Sequence, residues 1–350
     1  MARRTIAVLL AVASLSAACR RAPGAGLIDT LDGRPLAAAP FGPQQVVADL
    51  MPHDDELRGI SGLAASRAHQ HTLWAISDTA TKLFSIRVRD DGVKVRKVDV
   101  RGVDRFDWED LAWFEDGGVP FLLIADVGTN REQTVARRHD GAQVGQLHVL
   151  REPSPKQKKV DVLRTITFEL PCEPIRDIES VAVDAVRRQV LLVEKRAADK
   201  RLLVLDLDRD HHAPTAADWT SIALPDLDPW DRQPDDLASR HLYQTSWRRN
   251  PTALDLLGDQ AVLLTNRHAY VYTRAGDASW RDAFAQRPMQ LQVPFTVDLP
   301  ERAPRTLPAG TTPILPQREA ICFAPDGDVV FVASERRDGP EAWLVRFPRR

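Results

Sequence analysis

The chain has 350 residues, of which 43% are hydrophobic and 27% are charged, and its formal net charge at pH 7 is −2. Such a chain can bury a full core, which excludes wholesale disorder. The charge becomes more negative if Arg3 and Arg4 are removed with a signal segment. This balance excludes a typical nucleic-acid-binding protein, and we expect no nucleic-acid partner.

The N-terminal residues have the pattern of a bacterial secretion signal. An apolar run extends from Ile6 to Val12, and small residues lead up to Cys19. The run is too short to span a bilayer, and small residues before a cysteine resemble the lipobox of bacterial lipoproteins. We predict that residues 1–18 are a lipoprotein signal peptide and that lipidated Cys19 anchors the chain in the cell envelope, in the outer membrane or facing the periplasm. An ordinary cleaved signal with an incidental cysteine is the alternative.

The segment after Cys19 is rich in Ala, Gly and Pro and has little apolar periodicity. This composition is typical of a flexible linker. We therefore predict that residues 19–43 comprise the lipidated cysteine and a tether, and that residues 44–350 form one domain.

One short strand pattern recurs along that domain, each time followed by further strands and tight turns. Its five copies begin the repeats Ile60–Ala64, Trp108–Ala112, Ile178–Ala182, Pro251–Asp255 and Arg318–Cys322. Repeats of about 50 to 70 residues that contain only strands are typical of propeller blades. We predict an all-β, five-bladed β-propeller. The alternative is six blades, which would need another unit within 225–250 or 300–317, and neither stretch has the necessary apolar runs.

The two ends of the domain complete one blade. The last repeat lacks an outer strand, whereas residues 44–50 precede the first repeat without a partner of their own. Pairing these segments would close the ring and remove an exposed sheet edge. Cys172 and Cys322 fall in blades that are not neighbours, so we expect free thiols rather than a disulfide.

In a propeller, the start of each innermost strand and the end of each second strand lie on one face beside the central channel. Aligned residues at these places form two rings. The first ring contains Ser61, Glu109, Glu179, Thr252 and Glu319. The second ring contains Asp78, Asp126, Lys195, Asn266 and Glu335, and in three blades an arginine follows, namely Arg196, Arg267 and Arg336.

Three glutamates at one channel mouth repel each other unless a cation lies among them. Ca²⁺ takes six to eight oxygen ligands and suits such a set, so Glu109, Glu179 and Glu319 are candidate metal ligands. The alternative is a structural plug, in which these glutamates pair with Lys195 and arginines of the second ring. The sequence leaves both open.

The second ring and the segment after it contain the candidate ligand-binding residues. Gly128 permits a turn after Asp126, and the residues that follow offer hydrogen-bond donors; an Asx-type turn that only shapes the loop is the alternative. Long connections on the same face could add aromatic and cationic groups. The full candidate set is Asp126, Asn130, Arg131, Lys195, Arg196, Arg267 and Glu335.

The stretches Trp108–Ala112 and Ile124–Arg131 resemble a group of secreted bacterial propellers of largely unassigned role, some labelled phytase-like or esterase-like. Lys195-Arg196 and Glu319-Ala320 also match their pattern. Thr129 stands where those proteins have an aspartate, which weakens any metal site that the resemblance implies.

Two functions follow. The first is a monomeric cell-envelope lipoprotein whose propeller binds an anionic small molecule, a glycan or a protein. The second is a Ca²⁺-dependent hydrolase of a phosphoester, ester or lactone, in which the metal would activate water. The sequence has no Gly-x-Ser-x-Gly elbow or phosphate-binding glycine loop. We favour the binding module and leave the question of enzymatic activity open.

Overall fold

The computed structural model describes residues 28–129, 138–139, 142–171, 176–195, 200–211, 218–225, 250–294, 297, 314–315, 317–335 and 341–350. Nearly all regular structure in this part of the chain is strand. The strands are, in chain order, β1 (Thr30–Leu31), β2 (Arg34–Pro35), β3 (Gln45–Asp49), β4 (Ile60–Ala65), β5 (Thr72–Ser77), β6 (Ala80–Arg89), β7 (Gly92–Arg101), β8 (Trp108–Asp116), β9 (Val119–Asp126), β10 (Arg138–His139), β11 (Ala142–Arg151), β12 (Lys159–Asp161), β13 (Arg164–Pro171), β14 (Ile178–Asp184), β15 (Gln189–Glu194), β16 (Arg201–Asp206), β17 (Trp219–Ser221), β18 (Pro251–Leu257), β19 (Gln260–Thr265), β20 (Ala269–Thr273), β21 (Met289–Leu291), β22 (Gln317–Phe323), β23 (Val329–Glu335) and β24 (Trp343–Pro348).

Helical structure is confined to short pieces in the described ranges. A 3₁₀ helix spans Asp55–Gly59, and an α-helix, α1, spans Trp280–Phe284. Ser279 caps α1, because its hydroxyl accepts a hydrogen bond from the Asp282 N–H while the Asp282 side chain bonds back to Ser279. Among the residues described, no helix is long and apolar enough to cross a membrane.

The strands form five blades, which confirms the predicted five-bladed propeller. Blade one contains β4 to β7 with β12 at its edge, and blade two contains β8, β9 and β11 with β10 and β13. Blade three contains β14 to β17, blade four β18 to β21, and blade five β22 to β24 with β3. The innermost strand of each blade contacts that of the next, and β22 contacts β4, so the ring is closed.

The predicted closure by the N-terminal strand is also confirmed. Strand β3 pairs antiparallel with β24, with Trp343 opposite Asp49 and Arg346 opposite Gln45. The side chain of Asp49 adds a hydrogen bond from the Ala342 N–H at 3.0 Å. Blade five thus takes its outer strand from the far end of the chain, and neither segment is left as an unpaired edge.

The second half of the predicted tether is folded. Strands β1 and β2 form a small hairpin, and Leu36, Ala39 and Phe41 are buried. The Ala39 N–H donates to the carbonyl oxygen of Gln290 at 2.8 Å, which joins this segment to blade four. Residues 28–43 are therefore packed rather than flexible, because their few apolar side chains find partners on the propeller. Residues 1–27, with Cys19, lie outside the described residues.

The two strands that follow β11 belong to different blades. Strand β12 pairs in parallel with β7 of blade one, whereas β13 pairs with β11 of blade two. The switch occurs between neighbours: the Val162 N–H donates to Arg101 and the Leu163 N–H donates to Val149. The apolar pattern continues across this point, since both blades bury the same kind of side chain.

The hydrophobic core lies between blades. Five clusters of buried side chains fill the gaps between adjacent blades, including the gap between blades five and one. Because the innermost strands have neighbours on both faces, β4 is buried along its whole length and has a continuous run of apolar or small residues. Cys322 of β22 is a buried free thiol, as predicted, and burial raises its pKa; Cys172 lies outside the described residues.

Deletion of residues 44–50 tests the closure. We expect a loss of about 3 kcal/mol or more of unfolding free energy, because buried Leu50 and a full strand pairing are removed. The melting temperature, measured by circular dichroism, should fall by about 5 °C or more. A chain that begins at residue 28 is the control and should melt with the full-length protein. A chain that begins at residue 44 separates the contribution of residues 28–43. An unchanged melt of the deletion variant would contradict closure by β3.

Candidate functional site

A β-bulge lies at the same place in every innermost strand. The register with the second strand shifts between Ile60 and Gly62 in blade one, and the same shift recurs in the other four blades. The residues left out of register are Ser61, Glu109, Glu179, Thr252 and Glu319. Bulges re-aim side chains and are common beside functional sites. The first predicted ring is thus a set of structurally equivalent bulge residues.

The two hydroxyls of this ring join neighbouring blades. Ser61 Oγ donates to the carbonyl oxygen of Trp108 at 2.9 Å, and Thr252 Oγ1 donates to that of Arg318 at 2.6 Å. In both cases the acceptor precedes the ring residue of the next blade. These two hydroxyls therefore link neighbouring blades at the channel mouth. The other three ring positions are glutamates, whose carboxylates are the candidate functional groups.

Lys195 lies among the glutamates. Its Nζ donates to Glu179 Oε2 and lies 4.0 Å from Glu319 Oε2. Both carboxylates are buried. Burial raises the pKa of Glu179, and the charge of Lys195 opposes that rise. Burial alone would lower the pKa of Lys195, but the carboxylates of Glu179, Glu319 and Glu109 together raise it above its usual value. Lys195 thus supplies a positive charge among the carboxylates of the mouth.

Glu109 differs from the other two glutamates. Its side chain is half-buried, and no described residue donates a hydrogen bond to its carboxylate. Burial raises its pKa, and the neighbouring carboxylates of Glu179 and Asp107 raise it further. A Cβ at Gly128 would collide with the carboxylates of Glu109 and Asp107. Gly128 therefore allows close packing against this acidic pair. The sequence alone had indicated a turn as the reason for this glycine.

Asp126 is a buried positioning residue. Its carboxylate accepts hydrogen bonds from the backbone N–H groups of Asp107 at 2.6 Å and Phe106 at 3.1 Å. His148 Nε2 lies 3.3 Å from Asp126 Oδ2, and His148 Nδ1 lies 2.9 Å from Thr165 Oγ1. Asp126 thus holds the segment that presents Asp107 to the mouth. Sequence reasoning missed His148, which has no ring position to mark it.

Two other second-ring candidates, Arg267 and Glu335, have partners of their own in the described structure. Arg267 is buried and pairs with Asp29 of the N-terminal segment at 2.9 Å, and Tyr270 Oη donates to the same carboxylate at 2.7 Å. Burial, followed by the charge of Asp29, raises the pKa of Tyr270. Glu335 is buried and accepts a hydrogen bond from Gln317 at 3.4 Å. Asn130, Arg131 and Arg196 lie outside the described residues.

The described carboxylates at the mouth do not fit a metal ion. Within the described ranges, no group of three or more His, Cys, Asp or Glu side chains is placed to hold one. Instead, an ammonium group lies against Glu179 and near Glu319. For these two glutamates, the contacts favour the plug over the Ca²⁺ site.

Asp110 is a buried carboxylate that was not among the predicted site residues. It is fully buried at the channel axis, and its carboxylate accepts hydrogen bonds from the N–H groups of Leu111, Val181 and Leu254, which belong to three different blades. Burial raises its pKa despite these donors. A Cβ at Gly62 would collide with the Asp110 backbone. The sequence does mark this position, because the other four innermost strands have a small residue there, namely Gly62, Ser180, Ala253 and Ala320.

Comparisons with known proteins find similarity at the level of fold. A glucose dehydrogenase-type oxidoreductase from Thermus thermophilus is 12% identical, over 87% of this chain and 99% of that chain, with a TM-score of 0.44. The PQQ-bound aldose sugar dehydrogenase from Streptomyces coelicolor is 10% identical, over 89% and 99%, with a TM-score of 0.48. A 6-phosphogluconolactonase-like protein from Bacteroides uniformis is 12% identical, over 81% and 66%, with a TM-score of 0.34. At these identities and TM-scores, no activity is transferred to this chain.

No protein-family profile and no curated protein sequence matches the chain. The resemblance of Trp108–Ala112 and Ile124–Arg131 to secreted bacterial propellers therefore stays a prediction.

Substitution Lys195→Gln tests the plug. Removing the ammonium takes away the cation that contacts the buried carboxylate of Glu179, a change that typically costs about 3 to 5 kcal/mol. A carboxyl whose folded pKa is raised contributes stability below its unfolded pKa and loses it as pH rises through the folded value. The deficit in melting temperature relative to wild type should therefore grow between pH 5 and pH 8.

Lys97→Gln is the matched control, since Lys97 also contacts two carboxylates but is 38% exposed. An exposed pair of this kind contributes about 1 kcal/mol or less. A deficit for Lys195→Gln that is as small as this control, or that shrinks at pH 8, would contradict the plug.

Substitution Asp110→Asn tests the axial carboxylate. An amide must turn its NH₂ group toward one of the backbone N–H donors, so at least one buried donor loses its acceptor, which costs about 1 to 3 kcal/mol. Urea unfolding should show this loss, whereas exposed Asp99→Asn on β7 should change little. Equal stability of the Asp110 and Asp99 variants would count against the axial role.

Proposed function

We propose that this protein is a cell-envelope lipoprotein, anchored through Cys19, whose propeller is a ligand-binding module with its site at the channel mouth around Glu109. The observation that carries the proposal is the division of labour among the three ring glutamates. Lys195 compensates Glu179 and approaches Glu319, while Glu109 remains half-buried without a described hydrogen-bond donor. We infer that the carboxylate of Glu109 binds the ligand.

The charge of the mouth indicates the ligand's chemistry. Besides burial, Asp107 and Asp177 raise the pKa of Glu109, and Asp177 also raises the pKa of Glu179. Lys195 is already engaged with Glu179. An ammonium or hydroxyl group that reaches Glu109 would form a hydrogen bond strengthened by the low local dielectric. We therefore favour an amine- or hydroxyl-bearing ligand, such as a glycan or peptide, over an anionic one at this mouth.

A Ca²⁺-dependent hydrolase is the less well supported alternative. It needs Glu109, Glu179, Glu319 and Asp126 as metal ligands. Asp126 already accepts two backbone hydrogen bonds, and Lys195 lies where a cation would have to enter. The described residues therefore do not fit this metal.

Calorimetric titration with the trimer of glucosamine tests the proposed chemistry. This probe has hydroxyl and ammonium groups, and its N-acetylated form is a probe of the same scaffold without the positive charge. We expect the charged trimer to bind and Glu109→Gln to weaken it by about tenfold, the size of one lost charge-assisted hydrogen bond. Glu115→Gln, an exposed change on the same strand, is the control.

Equal affinities of the two trimers, or an unchanged affinity in Glu109→Gln, would count against the proposed site. Titration with CaCl₂ distinguishes the alternative. Specific Ca²⁺ binding that is lost in Glu109→Gln/Glu179→Gln would favour the metal-dependent hydrolase, and trials with phosphoesters, aryl esters and lactones would follow.

A further inference from the structure

A basic groove lies on blade one, away from the channel mouth. It is a concavity of about 650 Å³ whose cationic lining residues are Arg87, Arg89, Lys94, Arg96 and Lys156. No Asp or Glu lines it. Strand β5 ends at the mouth and β6 runs back from it, so Arg87 and Arg89 are at the opposite end of the blade. The groove is therefore separate from the site around Glu109.

Strand geometry places these cations on one face. Alternate residues of a strand share a face, so Arg87 and Arg89 follow Leu83, whose side chain packs in the core between blades one and two. On the next strand, Lys94 lies directly opposite Arg87, and Arg96 lies opposite Ser85. Like charges directly opposite each other on neighbouring strands are destabilising.

The groove cations have no ion-pair partner among the described residues, and their side chains are exposed. The opposite face of the same two strands is different. There Lys82 pairs with Glu56 at 2.9 Å, and Lys97 pairs with Asp54 at 2.9 Å. The same sheet thus neutralises its cations on one face and leaves them uncompensated on the other.

Partly buried hydrogen bonds hold the far wall of the groove in place. Glu152 accepts hydrogen bonds from the indole N–H groups of Trp74 and Trp113, both at 2.7 Å. Ser85 Oγ donates to the Pro155 carbonyl oxygen at 3.3 Å. These contacts fix the segment that carries Lys156. They also engage Glu152, the carboxylate nearest to Lys156 in sequence, with the two indoles. Because strands and this fixed segment carry the cations, their backbones are already gathered around the groove, which lowers the entropic cost of binding an anion there.

We propose that the basic groove is a binding site for a ligand with two or more phosphate groups. A volume of about 650 Å³ is within the range of small-molecule sites and exceeds what one inorganic phosphate fills. Arginine suits phosphate because its planar guanidinium donates two parallel hydrogen bonds. The net charge of −2 does not oppose this, since the field in a concavity depends on the charges that line it. The same headgroup chemistry could come from a soluble phosphorylated compound or from an anionic lipid.

Titration of the full-length chain carrying Cys19→Ser with sodium tripolyphosphate tests the proposal. We expect binding that weakens as NaCl rises, because salt screens exposed charges. Arg87→Gln/Arg96→Gln should weaken it at least tenfold. Arg34→Gln/Arg209→Gln removes the same charge from exposed positions elsewhere and should change the affinity less than twofold. The groove variant should melt at the wild-type temperature or above, because like-charge repulsion is relieved.

Flotation with phosphatidylcholine vesicles, with and without cardiolipin, an anionic lipid with two phosphate groups, distinguishes the two sources. Groove-dependent flotation only with cardiolipin would identify a lipid headgroup, whereas triphosphate binding without flotation would identify a soluble ligand. The proposal is overturned if neither probe binds, if both double variants lose equal affinity, or if the groove variant melts at a lower temperature, which would assign these cations a structural role.

Discussion

The close approach of the innermost strands around the axis is the constraint on which the rest of the structure depends. Asp110 reaches backbone N–H groups of three blades, and the backbone of blade one comes so near that only glycine fits at position 62. Next to this crowded axis, all five innermost strands shift their register at the equivalent position. The bulge residues are consequently aimed at the mouth, where three of them are glutamates.

The described structure has two regions of opposite charge, the acidic channel mouth and the basic groove on blade one. At the mouth, carboxylates crowd together at low dielectric, and Lys195 offsets part of their repulsion. At the other end of blade one, cations line a concavity without compensation. The net charge of −2 is a sum over the whole chain, so it does not show that these two regions have opposite charge. The two proposed sites follow from this separation, because each would take a ligand that the other repels.

The sequence predicted a large part of the fold because the repeat, the alternation of apolar residues and the missing outer strand are all local patterns. The division of residues 159–171 between blades one and two could not be predicted, since the apolar pattern of β12 and β13 is the same whichever blade receives them. The packing of residues 28–43 was missed for a similar reason. A few buried side chains, such as Leu36 and Phe41, do not make a periodic signal.

The sequence by itself determined which residues occupy equivalent places around the ring, since equivalence follows from the repeat. Glu109, Glu179 and Glu319 were predicted together and lie together as bulge residues. Only the tertiary structure decided what each side chain contacts. Arg267 pairs with Asp29, and Asp126 holds a backbone segment, because partners are chosen by distance and burial between segments far apart in sequence, and no repeat pattern encodes these.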